Sequence, residues 1–93
     1  MKPEFKEIDK EFVGELSFPD QDVLYTEKKK IQRQIELERA MSLGNLEQVK
    51  VKIFFEDFSN KFFINTTIWA VTDESVLIKK GLVIPIKRIY KVQ

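Results

Sequence analysis

The chain of 93 residues contains no histidine and no cysteine. Those two absences exclude disulfides, thiolate and imidazole metal sites, and the Ser–His and Cys–His pairs on which most nucleophilic catalysis depends. Glycine is scarce too: Gly14, Gly44 and Gly81 stand thirty or more residues apart, so no glycine-rich loop exists to cradle a phosphate. No stretch approaches the ~20 apolar residues needed to cross a bilayer. The opening Met1-Lys2-Pro3-Glu4-Phe5-Lys6-Glu7 leads into no apolar run of the ~7–15 residues of a secretory signal. The expected location is therefore cytoplasmic, which the lack of cysteine fits. Asn65-Thr66-Thr67 matches the glycosylation acceptor pattern and is read as a chance match, since no signal run accompanies it.

What is present is a globular composition, 43% hydrophobic and 33% charged, richer in charge than the ~25% of an average protein. A chain of this length makes one domain, residues 1–93, with a single core. Its net charge of +1 conceals an asymmetry. Residues 1–23 hold three Lys and seven Asp or Glu, whereas residues 49–93 hold eight Lys or Arg and four Asp or Glu. Such a split suits either a polyanion-binding surface or a lysine-rich face that keeps sheet edges from pairing.

Three segments follow in order. The acidic segment 1–23 carries Phe5, Ile8, Phe12 and Leu16 near helical spacing, but Pro3, Gly14 and Pro19 limit it to a short helical turn or two and an extended connection. Residues 26–43 contain no Gly or Pro and are rich in strong helix formers. Thr26 can cap that helix, Glu27 suits the positive end of its dipole, and Gly44-Asn45 is its expected end. Ile31, Ile35, Leu37 and Met41 are expected on its packing face, with Lys28, Lys29, Arg33 and Arg39 reaching water.

Residues 49–93 read as strands. Val49 to Glu56 has apolar residues at odd positions, the period-two signature of a half-buried strand. Asp57-Phe58-Ser59-Asn60 turns the chain into a long β-branched and aromatic strand, Phe62 to Thr72. Asp73-Glu74 and Lys80-Gly81 are the next turns, and Pro85 marks an edge, a bulge or the end of pairing before Ile89 to Val92.

The run Val71-Thr72-Asp73-Glu74-Ser75-Val76-Leu77-Ile78, then Gly81, then Ile84-Pro85-Ile86-Lys87-Arg88-Ile89, resembles the third to fifth strands of SH3-like and Sm-like small barrels. The resemblance implies a mainly β fold, a five-stranded antiparallel barrel preceded by an α-helix, with a 3₁₀ turn joining the last two strands. It does not extend to the RNA site of the Sm class: Asp73 and Ser75 occupy the nearest positions to the Asp…Asn pair, and the Lys-His motif of the bacterial members needs a histidine this chain does not have.

The acidic residues Asp57, Asp73 and Glu74 fall in turns, and Asp20-Gln21-Asp22 supplies two carboxylates with no further ligand beside them. The expectation is a non-enzyme with no metal, cofactor or small-molecule substrate, acting as an interaction module through a protein partner or as a homo-oligomer. Eight Phe, two Tyr and one Trp, more than a small barrel encloses, support a contact surface. The alternative is single-stranded RNA or DNA binding. If Val49, Val51, Ile53 and Phe55 face inward, Lys50, Lys52 and Phe54 form a basic and aromatic strip, with Trp69 and Phe63 extending it and Lys87, Arg88 and Lys91 holding phosphate. Lys50, Lys52, Phe54, Trp69, Arg88 and Lys91 are accordingly the candidate surface residues for either partner.

Overall fold

The structure is a computed structural model and describes residues 4–93. The acidic segment adds a two-residue strand β1 (Lys6–Glu7) and a 3₁₀ helix (Lys10–Glu15). One α-helix follows, α1 (Glu27–Glu47), and then β2 (Val51–Glu56), β3 (Lys61–Thr66), β4 (Ile68–Val71), β5 (Ser75–Ile78), β6 (Leu82–Pro85) and β7 (Ile89–Val92). The strands form two sheets, one of order β1-β3-β2-β7 and one of order β4-β5-β6. Pairing is antiparallel except between β1 and β3. The fold is thus mainly β with one preceding helix, but where a five-stranded barrel was expected, the described residues form seven strands in two sheets, with no closed barrel among them.

The difference centres on Thr67. The expected continuous strand from Phe62 to Thr72 breaks there, so that β3 ends in one sheet and β4 begins in the other. Thr66, Thr67 and Ile68 are all buried, which period-two alternation cannot produce. The turns themselves fall where turn chemistry places them. Asp57 Oδ1 accepts the backbone N–H groups of Ser59 and Asn60, an Asx turn between β2 and β3. Thr72 Oγ1 accepts those of Glu74 and Ser75 between β4 and β5. Lys80 and Gly81, both at positive φ, lie in the β5–β6 connection. A 3₁₀ turn, Ile86–Arg88, links β6 to β7 as the resemblance implied.

Thr26 caps α1, its side chain accepting from the Lys29 N–H at 3.2 Å. The helix does not end at Gly44. It continues to Glu47, and Gln48 takes the left-handed position with φ of 55°, its N–H donating to the Gly44 carbonyl. Gly44 serves packing instead: a Cβ there would lie 2.4 Å from the Ile68 carbonyl oxygen and 3.0 Å from Thr67 Cγ2. The absence of a side chain lets α1 lie against β4.

The helix is also rotated from the expected orientation. Its buried residues are Arg33, Leu37, Ala40 and Gly44, while Ile31 and Ile35 point to solvent. The helix rests on β4 and β7, one strand from each sheet. Between the sheets lies a single apolar core of Ile53, Phe55, Ile64, Ile68, Val76, Ile78, Ile84 and Ile89, joined by Leu37 and Ala40 from the helix and Val13 from the N-terminal segment. At roughly 1.5–3 kcal/mol per fully buried large apolar side chain, this core is the principal source of stability.

Candidate interaction surfaces

The inward parity expected for β2 is observed: Val51, Ile53 and Phe55 are buried, and Phe54 faces outward. Val49 precedes the strand and is partly exposed. Across the sheet Phe54 pairs with Phe63 on one side and with Lys91 on the other. The two rings stack at 5.3 Å between centroids. Lys91 Nζ sits 5.0 Å from the Phe54 ring centre and Lys52 Nζ 5.6 Å from that of Phe63, both within cation–π range.

Three residues outside the expected set complete this face. Phe5 packs edge-on against Phe54 at 5.2 Å and against Tyr90 at 5.4 Å, brought there by the parallel pairing of β1 with β3. Lys61 Nζ reaches the rings of both Phe5 and Tyr90 and forms an ion pair with Glu4 at 3.5 Å. Tyr90 is the extra residue of a bulge, because Phe54 pairs with Lys91 and Phe55 with Ile89. A bulge re-aims side chains, and here it leaves the Tyr90 hydroxyl donating to Glu56 Oε1. Burial, reinforced by that hydrogen bond and the Glu56 charge, pushes the Tyr90 phenol well above its usual range. Lys61 shares its parity with Phe63 and could have been read from the alternation; Tyr90 could not, since the bulge breaks it.

Trp69 and Arg88 do not join the strip. Trp69 lies in β4, in the other sheet, and is itself the extra residue of a bulge between Ile68 and Ala70. It is 46% exposed beside a recess lined by Gly44, Asn45, Gln48, Thr67 and Lys79. Arg88 is only 6% exposed. Its Nε donates to the Glu56 carbonyl at 3.0 Å, Nη1 to that of Gln21 at 2.6 Å and Nη2 to that of Asp57 at 3.2 Å. Those three bonds tie the N-terminal segment to the β2–β3 turn and direct the guanidinium into the fold. Lys50 is exposed just before β2, and Lys87 forms an exposed ion pair with Asp20.

A second buried arginine reverses the sequence expectation more sharply. Arg33, expected in water, is 5% exposed and holds Asp22 through two parallel bonds of 2.9 Å, while Nη1 also donates to the Ile89 carbonyl at 3.0 Å. Burial alone would raise the Asp22 carboxyl, but the Arg33 hydrogen bonds, the Leu24 N–H and the charges of Arg33 and Lys30 together hold it below its ordinary 3.8. A planar fork meeting a carboxylate is the strongest side-chain pairing available to the chain.

The other consequence of the rotated helix is an apolar surface. Ile31 is 57%, Ile35 44% and Leu46 81% exposed, all on the side of α1 away from Leu37, Ala40 and Gly44. Sequence reasoning placed Ile31 and Ile35 inside. The signal it passed over is the four-residue spacing of Ala40 and Gly44, two small residues in line with Leu37, which marks the face of close approach.

No helix among the described residues is long and apolar enough to cross a membrane. No protein-family model, curated protein or solved structure matches this chain.

Proposed function

We propose that the chain is a non-catalytic interaction module of the SH3-like small-barrel kind, and that it works by protein–protein association through the outer face of α1. The SH3-like reading draws support from three features: a chain that crosses between sheets at Thr67, a 3₁₀ turn before the last strand, and pairing of that last strand with β2. The association reading rests on one observation, the exposure of Ile31, Ile35 and Leu46 on a single helix face. Apolar area of that kind, rimmed by charge, gains free energy when a partner removes it from water.

The test is retention by immobilised protein. Wild type should hold protein, its own copies included, that an Ile31→Lys, Ile35→Lys variant releases, and retention should survive high salt because an apolar contact is not screened. Equal retention by both would overturn the reading.

The outer face of the four-stranded sheet supports a second reading, single-stranded nucleic acid. Its carrying observation is the set of lysines, Lys52 and Lys91, poised over the stacked rings of Phe63 and Phe54. Rings of this kind contribute ~1–3 kcal/mol per stacked base, and lysines add a salt-dependent phosphate term. A labelled oligonucleotide should bind wild type, lose affinity as salt rises, and lose it tenfold or more in Lys52→Glu, Lys91→Glu. Unchanged affinity in that variant would dispose of the sheet-face site.

A further inference from the structure

The acidic N-terminal segment lies against the basic, strand-rich part of the chain. Glu4 pairs with Lys61 at 3.5 Å, Glu11 with Lys80 at 3.4 Å and Asp20 with Lys87 at 3.4 Å. The first of these pairs lies on the aromatic sheet face. Although β1 pairs with β3 alone, the Phe5 ring just before it reaches Phe54 of β2 and Tyr90 of β7, edge-on to both. Lys61 Nζ stands 5.9 Å from the centre of the Phe5 ring while it holds the Glu4 carboxylate. A ring set against aromatic side chains, with an anion beside it on a lysine, is what one nucleotide presents to a single-strand binder: a base on the rings and a phosphate on the cation. Glu4 and Phe5 supply both groups from the chain itself.

The contacts that hold this segment are few. Strand β1 is two residues long with both residues exposed, and its pairing is of the weaker parallel kind. Beside it Asn65 Nδ2 donates to Glu7 Oε2 at 2.9 Å. A short, exposed pairing lies at the low end of local stability and opens without unfolding the core. Further along, Ile8 packs against the core and Val13 is buried within it, so the 3₁₀ helix stays anchored when the residues before it lift.

We propose that residues 4–7 are a displaceable strap that holds a nucleotide's place on the outer sheet face and is lifted when a single strand of nucleic acid binds. This deepens the nucleic-acid reading of that face, on which it rests, by adding its regulation. An incoming strand competes with Phe5 for Phe54 and Tyr90 and with Glu4 for Lys61. Docking of the strap therefore lowers the apparent affinity in proportion to the fraction of molecules whose face is open.

The first test is the affinity of the full chain for a labelled oligothymidine of ~10 nucleotides. Phe5→Ala removes the ring without changing charge and should bind at least about fivefold tighter than wild type. Unchanged affinity would overturn the strap, and so would weaker binding, which would make Phe5 part of the binding surface. Glu4→Gln frees Lys61 and should tighten binding about twofold or more. Glu11→Gln makes the same charge change at the residue paired with Lys80 and should gain less; equal gains from the two variants would mean general electrostatics and no strap.

The second test follows the strap itself. Trypsin cleavage after Lys6, within β1, tracks the open population, and it should accelerate when wild type is saturated with the oligonucleotide. Cleavage no faster than in the free protein would overturn the proposal. Should neither wild type nor Phe5→Ala bind the oligonucleotide, the nucleic-acid reading falls and the strap with it. Binding by both that Lys52→Glu, Lys91→Glu abolishes, with no gain from Phe5→Ala, leaves that reading standing and overturns the strap alone.

Discussion

Glu36 accepts the backbone N–H of Val92 at 2.9 Å, one helical turn from Arg33, which donates to the Ile89 carbonyl at 3.0 Å. Strand β7 ends the four-stranded sheet, and an open edge is a template for pairing with another chain. Here one acidic and one basic side chain of α1 close it. Glu36→Ala should therefore cost about 1–2 kcal/mol by leaving a partly buried N–H unpaired, read as a fall in the urea midpoint. Glu38→Ala, on the solvent side of the same helix, should cost less than about 0.5 kcal/mol in monomer stability.

The Asp22–Arg33 pair predicts an acid limb. Because the folded protein holds the Asp22 carboxyl below its ordinary 3.8, the unfolded chain takes up that proton at a higher pH than the fold does. The pair's contribution is complete above about pH 5 and is lost as pH falls through the lowered value toward about pH 2. Asp22→Asn should be less stable than wild type near neutrality, with the difference shrinking across that acid window. A difference that stayed constant from pH 7 to pH 2 would contradict it. Urea unfolding of both proteins at a series of pH values makes the measurement.

Gly44 and Gln48 should respond in opposite directions. Gly44→Ala gains ~1 kcal/mol of helix propensity, but its Cβ would lie 2.4 Å from a backbone oxygen that cannot rotate away. Overpacking of that kind costs about 1–3 kcal/mol or more, so the net change should be a lower Tm. Gln48→Gly relieves a non-glycine residue at φ of 55° and should raise stability by roughly 0.5–1 kcal/mol. Thermal unfolding followed by circular dichroism compares the three proteins directly.

Arg88 and Lys91 separate structure from surface. Arg88→Ala removes three hydrogen bonds to backbone carbonyls and should destabilise by about 2–4 kcal/mol. Lys91→Ala removes one cation–π contact on an exposed face and should cost about 0.5–1 kcal/mol. Equal losses in a denaturant titration would mean that Arg88 is not a structural anchor.

Much of the local structure was legible in the chain. Thr26 as helix cap, the inward set of β2 and the turns at Asp57 to Asn60 and Asp73-Glu74 follow from signals a few residues long, because caps, turns and alternation are satisfied by near neighbours; the 3₁₀ turn before Ile89 is implied only by the small-barrel resemblance. On the sheet face the same alternation placed Lys52, Phe54 and Phe63 together, since a strand's parity carries over to the strand paired with it. It failed at Thr67, Trp69 and Tyr90, where a sheet change or an extra residue resets parity. Neither break leaves a mark within its own stretch of sequence.

The amino-acid order by itself determined that this is a mainly β chain with one helix in front of it, without the imidazole and thiol groups that most catalytic and metal sites use. Tertiary structure alone decided which way that helix faces. Ile31 and Ile35 are more apolar than Arg33 and Gly44, and hydropathy turns them inward. The fold turns them out because Gly44 is where β4 needs space, and because Asp22 and the Ile89 carbonyl, 11 and 56 residues away, supply Arg33 with the partners that make its burial tolerable. Close approach and charge compensation depend on partners distant in the chain, so no local pattern encodes them.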